Sequence, residues 1–562
     1  MTAARATLFY HPEAYSTKGP KLMGRHMAGE SFLRAWLAYG QQSPWSFQLA
    51  EAEHCRPLEQ QLSAWLPSET RVEIHQSQSP QSLSRTGALF RPGPGLASEA
   101  KARSWLGSHH HSLCGITHTL SSQLAMDEVQ AMVGADVQPW DALICTSQAA
   151  RTVVETLFEQ EEEHLKARLG ATHFTRPQLP TIPLGVHTRD FQFSLQDRIE
   201  SRNALGLAQT DIAVLFAGRL SFHAKAHPLV LYQALHRAQS HLAQTGSQKR
   251  LVLLEFGQFP NQAIANAFQA AAQMVAPGLQ VIHLDGKLHS AWVQAWSGAD
   301  IFCSLSDNIQ ETFGITPVEA MAAGLPVIAS DWNGYKDTVV HNEVGFRIPT
   351  FTPQPGLGLD LANRYAWGQD TYDYYCGHVA SFTALDPQSL AQALFALAEN
   401  DSRRTAMATA ARLRAQSTYD WSVVIPQYLD LFKALAERRG HASTIDSTQA
   451  ARRASMRHSA SDPFSLFGGY PTSAWGLDTV IEAGPEPLSA LAPLRELAMV
   501  SFARGVLPSA EEATELLERV SRGAIRIEAL LQDYPQPHQA KHMRTLLWLA
   551  KLGLISRSRA DR

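Results

Sequence analysis

Twice along this 562-residue chain a series of short apolar runs alternates with longer amphipathic stretches, and a break rich in Pro and Gly, Pro183-Leu-Gly-Val-His187, separates the two series. Short buried runs with helical stretches between them point to parallel sheets covered by helices on both faces. In the first series Ala6-Thr-Leu-Phe-Tyr10, Leu113-Cys-Gly-Ile-Thr117 and Ala142-Leu-Ile-Cys-Thr146 read as strands. The stretches Ser31-Phe-Leu-Arg-Ala-Trp-Leu37 and Gln148 to Glu159 read as helices. The second series offers Ile212 to Ala217, Leu251 to Phe256, Val281 to Leu284, Ile301 to Cys303 and Pro326 to Ala329 as strands. The chain is therefore expected to be α/β, with two Rossmann-like doubly wound domains over residues 1–187 and 188–420.

An amphipathic helix over 421–440 is expected to close the second domain. From His441 the residues are Ser, Ala, Thr and Arg without periodicity, which reads as a linker over 441–475. A mostly helical extension, 476–562, should follow. Its helix signals are Ser509 with Glu512 three residues on, and the run Met543 to Gly553 that ends on a glycine.

The 48 basic and 52 acidic residues nearly cancel, so nothing pulls the whole chain toward nucleic acid. The basic residues between His542 and Ser558 give the extension only a modest positive charge; a protein partner or a membrane surface suits it better than DNA. Five scattered cysteines without a paired spacing fit a reducing compartment. Neither a signal-peptide core in residues 1–30 nor a run of about 18 apolar residues is present. The expectation is a cytoplasmic protein, at most peripheral to the inner face of a membrane. His109-His110-His111 is not expected to bind metal, because consecutive strand residues point to opposite faces and no carboxylate or Cys at ligand spacing accompanies them.

The chemistry concentrates in Glu311-Thr-Phe-Gly-Ile-Thr-Pro-Val-Glu319-Ala-Met-Ala-Ala-Gly324-Leu-Pro326. Thr316 reads as an N-cap, Pro317 as the first helical residue and Glu319 as the partner in a capping box; Gly324 and Pro326 then end the helix. Gly314 lets the backbone approach a ligand, and the free N–H groups around Phe313, Gly314, Ile315 and Thr316 make the turn an anion site. Glu311 and Glu319 can face different parts of one ligand and accept bonds from its hydroxyls. The plainer alternative is that Glu319 only caps its helix and Glu311 is a solvated loop charge.

This segment resembles the Glu-x7-Glu signature of retaining glycosyltransferases of family 4, which have the GT-B fold. Phe216-Ala-Gly218-Arg219-Leu220 followed by Lys225 resembles the family's Gly-Arg-Leu…Lys-Gly pattern, with Ala226 and His227 where a Gly usually follows the Lys. Ile116-Thr-His118-Thr119 places a histidine after a strand of the first domain, as the family does. Thr181-Ile-Pro-Leu-Gly-Val-His187 is similar to the hinge element, Val281-Ile-His-Leu-Asp285-Gly286-Lys287 to the base-binding turn, and Tyr419-Asp-Trp421 to the mark before the closing helix, which the resemblance implies crosses back to the first domain over 421–440. The region Gly19 to Gly29, with Lys21 and Gly24, resembles the glycine-rich first loop near phosphate and acceptor.

The resemblance implies sugar transfer from a nucleotide diphosphate donor, with retention, to a saccharide or lipid-linked acceptor. It places Arg219 and Lys225 on the diphosphate, together with Gly218 and the amides at Gly314 to Thr316. Glu319 would take the ribose, Glu311 the transferred sugar, and His118 the face of the reacting carbon. Cofactor and metal are not required in this scheme; the nucleotide sugar is a co-substrate. The alternative is a catalytically silent nucleotide-sugar-binding scaffold or regulator that recruits partners through the C-terminal extension.

Overall fold

The computed structural model describes residues 5–17, 24–76, 82–443 and 462–558. Gly19 and Lys21 of the glycine-rich opening, and residues 444–461 of the expected linker, lie outside the described residues. The chain divides into two compact units, 1–459 and 460–562.

The first unit holds two six-stranded parallel sheets. One is built from β1 (Thr7–Tyr10), β2 (Trp45–Leu49), β3 (Val72–Gln76), β4 (Ala88–Phe90), β5 (Ser112–Ile116) and β6 (Ala142–Ile144), in the order β3-β2-β1-β4-β5-β6. The other uses β7 (Asp211–Ala217), β8 (Arg250–Gly257), β9 (Gln280–Asp285), β10 (Ile301–Ser304), β11 (Val327–Ser330) and β12 (Gly345–Ile348), in the order β12-β11-β10-β7-β8-β9. Both orders reverse once, between β1 and β4 and between β7 and β10. At such a reversal the loops leaving the carboxyl ends of two neighbouring strands diverge to opposite faces and leave a crevice for ligands. Four strands are additional to the sequence reading: β2, β3 and β4 in the first sheet and β12 in the second. β4 has only three residues, while Val72-Glu-Ile-His-Gln76 alternates as a half-exposed edge strand does, and both escape a search for continuous apolar runs.

Helix Trp421–Ser443 follows the second domain yet packs into the core of the first. Its Trp421, Val424, Ile425, Tyr428 and Phe432 are all buried against Phe32, Trp36 and Phe90. Trp421 Nε1 donates to Ser31 Oγ at 2.8 Å on helix Gly24–Tyr39, and Trp421 N donates to Val186 O at 3.1 Å. Gly185 leaves room for this indole: a Cβ there would stand 2.4 Å from Trp421 Cδ2. The helix runs three residues into the expected linker.

The unit 460–562 has its own core, centred on Ile481, Leu516, Leu517, Leu530, Leu546 and Leu549. Ser509 and Glu512 form the capping box read from the sequence, opening helix Ala510–Ser521. Helix Gln536–Lys551 ends just before Gly553, which has φ +78°. Helices predominate, but three short strands, β15 (Val480–Ala483), β16 (Ile525–Arg526) and β17 (Ile555–Arg557), form an antiparallel sheet in the order β16-β15-β17 that the helical reading did not include. Two to four residues per strand are too few to show a period.

Trp421→Ala would open a cavity where the closing helix meets the first domain and strand the Ser31 hydroxyl. Urea unfolding should show a loss of about 3–5 kcal/mol; a loss below about 1 kcal/mol would mean that the helix contributes little to holding the unit together.

Candidate functional site

The site forms where the order of the second sheet reverses. The loop after β7 carries Gly218, Arg219 and Lys225, and the loop after β10 carries Asp307 to Gly314. The two loops are laced together by a series of hydrogen bonds. Ser306 Oγ donates to Lys225 O at 3.4 Å, His227 N to Asp307 Oδ2 at 3.3 Å and Asn308 Nδ2 to His223 O at 2.8 Å. Asn308 Oδ1 also accepts from Gln310 N at 2.8 Å, and Trp332 Nε1 donates to Asn308 O at 3.1 Å.

Lys225 stands at the centre. Its ammonium forms an ion pair with Glu311 and lies close enough to Arg219, Glu319 and Tyr335 for each to feel its charge. Burial works against the charged lysine, but the Glu311 carboxylate outweighs it and holds the ammonium above its ordinary range. Burial likewise disfavours the Glu311 carboxylate. Lys225 and the backbone N–H groups of Gly314 and Phe313 overcome that and hold its pKa below the ordinary value. The turn therefore binds an anion in this structure: the carboxylate of its own Glu311.

Helix Ile315–Ala323 begins earlier than the sequence suggested. Gly314 is the N-cap, at φ +81° and ψ 82°, and contributes no side-chain cap. Thr316 therefore is not the cap, Pro317 is the third helical residue rather than the first, and Glu319 falls in the second turn, too far along to close a capping box. Glycine overrides threonine here because the left-handed conformation and the available space both demand it. A Cβ on Gly314 would stand 1.8 Å from Cε1 of Tyr335, a fully buried ring whose hydroxyl is 2.9 Å from Ser304 Oγ. With capping excluded, Glu319 is left as a desolvated carboxyl beside Lys225, pushed by burial up to about 7 despite the nearby cation. Gly324 ends the helix at φ +76°, as read.

The other expected residues are spread along the same edge. Phe313 is buried with its ring 6.2 Å from that of Tyr419, and Ile315 is half-buried. Gly218, Gly257 and Gly286 stack at the ends of β7, β8 and β9: a Cβ on Gly257 would meet Gly218 O at 1.8 Å, and one on Gly286 would meet Gly257 Cα at 3.2 Å. The result is a bare backbone floor beside Lys225. Asp285 is exposed, with Oδ1 accepting from Lys287 N at 3.0 Å, so its carboxylate organises its own turn.

On the first domain, His118 is half-buried in the loop after β5. Its neighbour Thr119 donates from Oγ1 to Gln310 O at 3.3 Å, and Ser147, after β6, donates to Thr312 O at 2.6 Å. These bonds set the His118 loop against the Glu311 loop. Gly24 opens helix Gly24–Tyr39, exposed and with open space around it. Gln310 and Tyr372 were not singled out from the sequence: Arg219 Nη2 donates to Gln310 Oε1, and Gln310 Nε2 donates to the Tyr372 hydroxyl at 3.2 Å. Gln310 precedes Glu311 and could have been suspected on that ground; Tyr372 is 62 positions beyond Gln310 and could not.

Among the described residues, one set of three side chains has metal-competent spacing: Glu51, Glu53 and His54, after β2, with one ligand atom of each within 4.8 Å of the others. His110 and His111 lie Nδ1 to Nδ1 at 2.9 Å, and burial pushes His111 down to about 3. His109 packs against Trp140 at 4.5 Å.

A model of the family described as glycosyl transferases group 1 matches residues 197–354, the stretch that contains both laced loops. Phosphatidyl-myo-inositol mannosyltransferase of Mycobacterium tuberculosis (strain ATCC 25618 / H37Rv) is 24% identical over 359 residues, covering 62% of this chain and 81% of that protein. D-inositol 3-phosphate glycosyltransferase of Xylanimonas cellulosilytica is 25% identical over 387 residues, 67% of this chain and 78% of the relative. Among solved structures, Anabaena Alr3699/HepE in complex with UDP superposes with a TM-score of 0.51 at 16% identity, covering 76% of this chain and all of that one. The two sheets are those of the GT-B fold, and the chain is a glycosyltransferase.

Because the folded chain holds the Glu319 proton more tightly than the unfolded chain does, stability attributable to this group falls as pH rises from the ordinary 4.5 toward 7 and then levels off. Glu319→Gln removes that penalty. Its melting temperature should match the parent near pH 4 and exceed it by a few degrees at pH 8, at about 2–4 °C per kcal/mol for a domain of this size. A variant no more stable than the parent at pH 8 would show that the carboxylate is well solvated.

Proposed function

We propose that the chain transfers a sugar from a nucleotide diphosphate donor to a hydroxyl of a saccharide or lipid-linked acceptor, with retention of anomeric configuration. The observation that carries this is the convergence of Arg219, Lys225, Glu311 and Glu319 at the reversal of the second sheet, beside a floor of three glycines and under the positive end of helix Ile315–Ala323. Two cations and a set of backbone N–H groups suit a diphosphate, and two carboxylates suit sugar hydroxyls. A solvated loop charge does not explain Glu311, paired with Lys225 and bonded to two amides.

In this reading the donor lies along the glycine floor with its diphosphate against Arg219, Lys225 and the amides of Gly314, Ile315 and Thr316. Glu319 accepts from the ribose hydroxyls. Glu311 turns from Lys225 to the hydroxyls of the transferred sugar once the diphosphate has supplied Lys225 with another anion. As the bond from the anomeric carbon to the diphosphate breaks, negative charge gathers on the leaving oxygen, and Arg219 and Lys225 stabilise it in place, the main electrostatic task of the reaction. His118 contacts the sugar at the carbon where positive charge develops. The acceptor hydroxyl attacks from the face the diphosphate leaves, and its proton passes to the departing phosphate. No resident cofactor or metal enters this scheme. The inositol-bearing acceptors named for the mycobacterial and Xylanimonas relatives make a polyol or a lipid carrying one the first acceptors to try. On this reading the protein works in the cytoplasm, or against the inner face of a membrane if the acceptor is a lipid. Among the described residues no helix is long and apolar enough to cross a membrane.

Calorimetric titration with UDP, GDP and ADP should find one that binds, and Glu319→Ala should weaken it by about tenfold, the equivalent of about 1.4 kcal/mol. With the matching nucleotide sugar, Arg219→Ala and Lys225→Ala should each lower kcat by about 100-fold, and the product's anomeric proton coupling should match the donor's. A folded protein that binds none of the three nucleotides would sink the donor-site assignment; an inverted product would sink the retaining step alone.

A further inference from the structure

Between the two-residue strands β13 (Thr350–Phe351) and β14 (Ala384–Leu385) the chain runs out into a helical hairpin, Leu359–Ala366 and Tyr372–Ala380. The hairpin is internally braced. Arg364 grips Asp370 with two bonds of 2.8 Å, His378 Nδ1 lies 3.2 Å from the same carboxylate, and Tyr365 stacks on Tyr375 at 4.5 Å with 5° between the rings. From this brace two tyrosines reach the loop that follows His118. The Tyr372 hydroxyl is 2.9 Å from Ser121 Oγ, and the Tyr365 hydroxyl accepts from Gln123 N at 3.0 Å. The Tyr372 hydroxyl also takes the bond from Gln310 Nε2, whose carboxamide oxygen is held by Arg219. An unbroken chain of hydrogen bonds therefore leads from Arg219 through Gln310 and Tyr372 to Ser121.

We propose that Gln310 and Tyr372 are positioning residues that couple donor binding to release of the His118 loop, so that the donor binds first and its arrival loosens the wall past which the acceptor enters. The inference rests on the donor site described above. Its logic is one of competition for Arg219. The guanidinium is bonded to a neutral carboxamide, and a bond to an ionised diphosphate oxygen is roughly twice as strong as one to a neutral acceptor. A diphosphate therefore displaces Gln310 Oε1, whereas a carboxylate at this position would resist it. Once released, Gln310 no longer holds the Tyr372 hydroxyl, and the link to Ser121 loses its support. Coupling of this kind is reciprocal: whatever the donor weakens must favour the donor when weakened by other means. Loss of the Tyr372 hydroxyl should tighten donor binding, an effect that damage to a merely structural residue would not produce.

The test uses the full chain with UDP, GDP and ADP in turn, reading affinity by calorimetry and backbone exchange over residues 119–126 by mass spectrometry. Tyr372→Phe, and independently Ser121→Ala, should bind the preferred nucleotide about fivefold or more tightly than the parent, and Gln310→Glu should bind it about tenfold more weakly. Exchange at 119–126 should rise in the parent on saturation and be fast in Tyr372→Phe before any nucleotide is added. If a nucleotide binds the parent but both loosening variants bind it equally or more weakly, or exchange at 119–126 does not respond, the coupling is overturned while the donor site stands. If none of the three binds the folded parent, the donor site is overturned and the coupling falls with it.

Discussion

The charge in the cleft is organised around the Lys225 ammonium, which is largely withdrawn from solvent and paired with an anion at its side. Glu311 supplies that anion, and each of the two is held charged by the other against burial. A desolvated charge without a partner costs several kcal/mol, so loss of either member would leave the other shifting its protonation or drawing in water. The pair also dictates backbone geometry. Glu311 can reach both Lys225 and the N–H groups of Phe313 and Gly314 only because Gly314 turns the chain into the left-handed region over the Tyr335 ring. On the proposed function the same arrangement stores the site's anion preference in a replaceable form: a diphosphate substitutes for Glu311 at Lys225 and frees the carboxylate for the sugar.

Why such a pair can be built here follows from the sheet. Parallel strands deliver their loops to one edge, and only at the reversal between β7 and β10 do two loops leave adjacent strands toward opposite faces. The loops after these strands are far apart in sequence, with Glu311 86 positions beyond Lys225, and become neighbours only through strand pairing. The first sheet repeats the order, and its loops after β5 and β6 meet the Glu311 loop through Thr119 and Ser147. The cleft is thus formed by two like edges facing one another. The helix that starts at Trp421 returns to the first domain's core and ties the two halves into one unit.

How much of this was legible in the sequence depended on whether the signal was local. The strands of continuous apolar residues and the helix ended by Gly324 were readable, because burial on both faces and a left-handed C-terminal glycine leave marks within a few residues. The start of that helix was misread for an equally local reason: Thr316-Pro317 is a sound cap signal, and it lost to a glycine forced by the ring of Tyr335, 21 residues further on. The charged residues of the site could be nominated from their types and the Glu-x7-Glu spacing. Their grouping around Lys225 could not, since it needs the strand order. Tyr372 and Tyr365 carried no signal at all, because nothing near them in sequence distinguishes a tyrosine that crosses to another domain from one that packs at home.

The departure from the usual glycine after Lys225 has a structural answer in the lacing of the two loops. Ala226 and His227 cannot adopt glycine's range of conformations, so the path of the chain after the lysine must be stabilised by other means. His227 N bonds to the carboxylate of Asp307, which is almost entirely buried, while Ser306 and Asn308 on either side bond to Lys225 O and His223 O. Three consecutive residues after β10 thus fix three backbone positions after β7. The cost falls on Asp307, whose other oxygen is without a partner and whose carboxyl is pushed by burial up to about 7. A specific polar contact, in place of a permissive glycine, fixes the path of the chain here, and the orientation of Lys225 consequently depends on the very loop that carries Glu311.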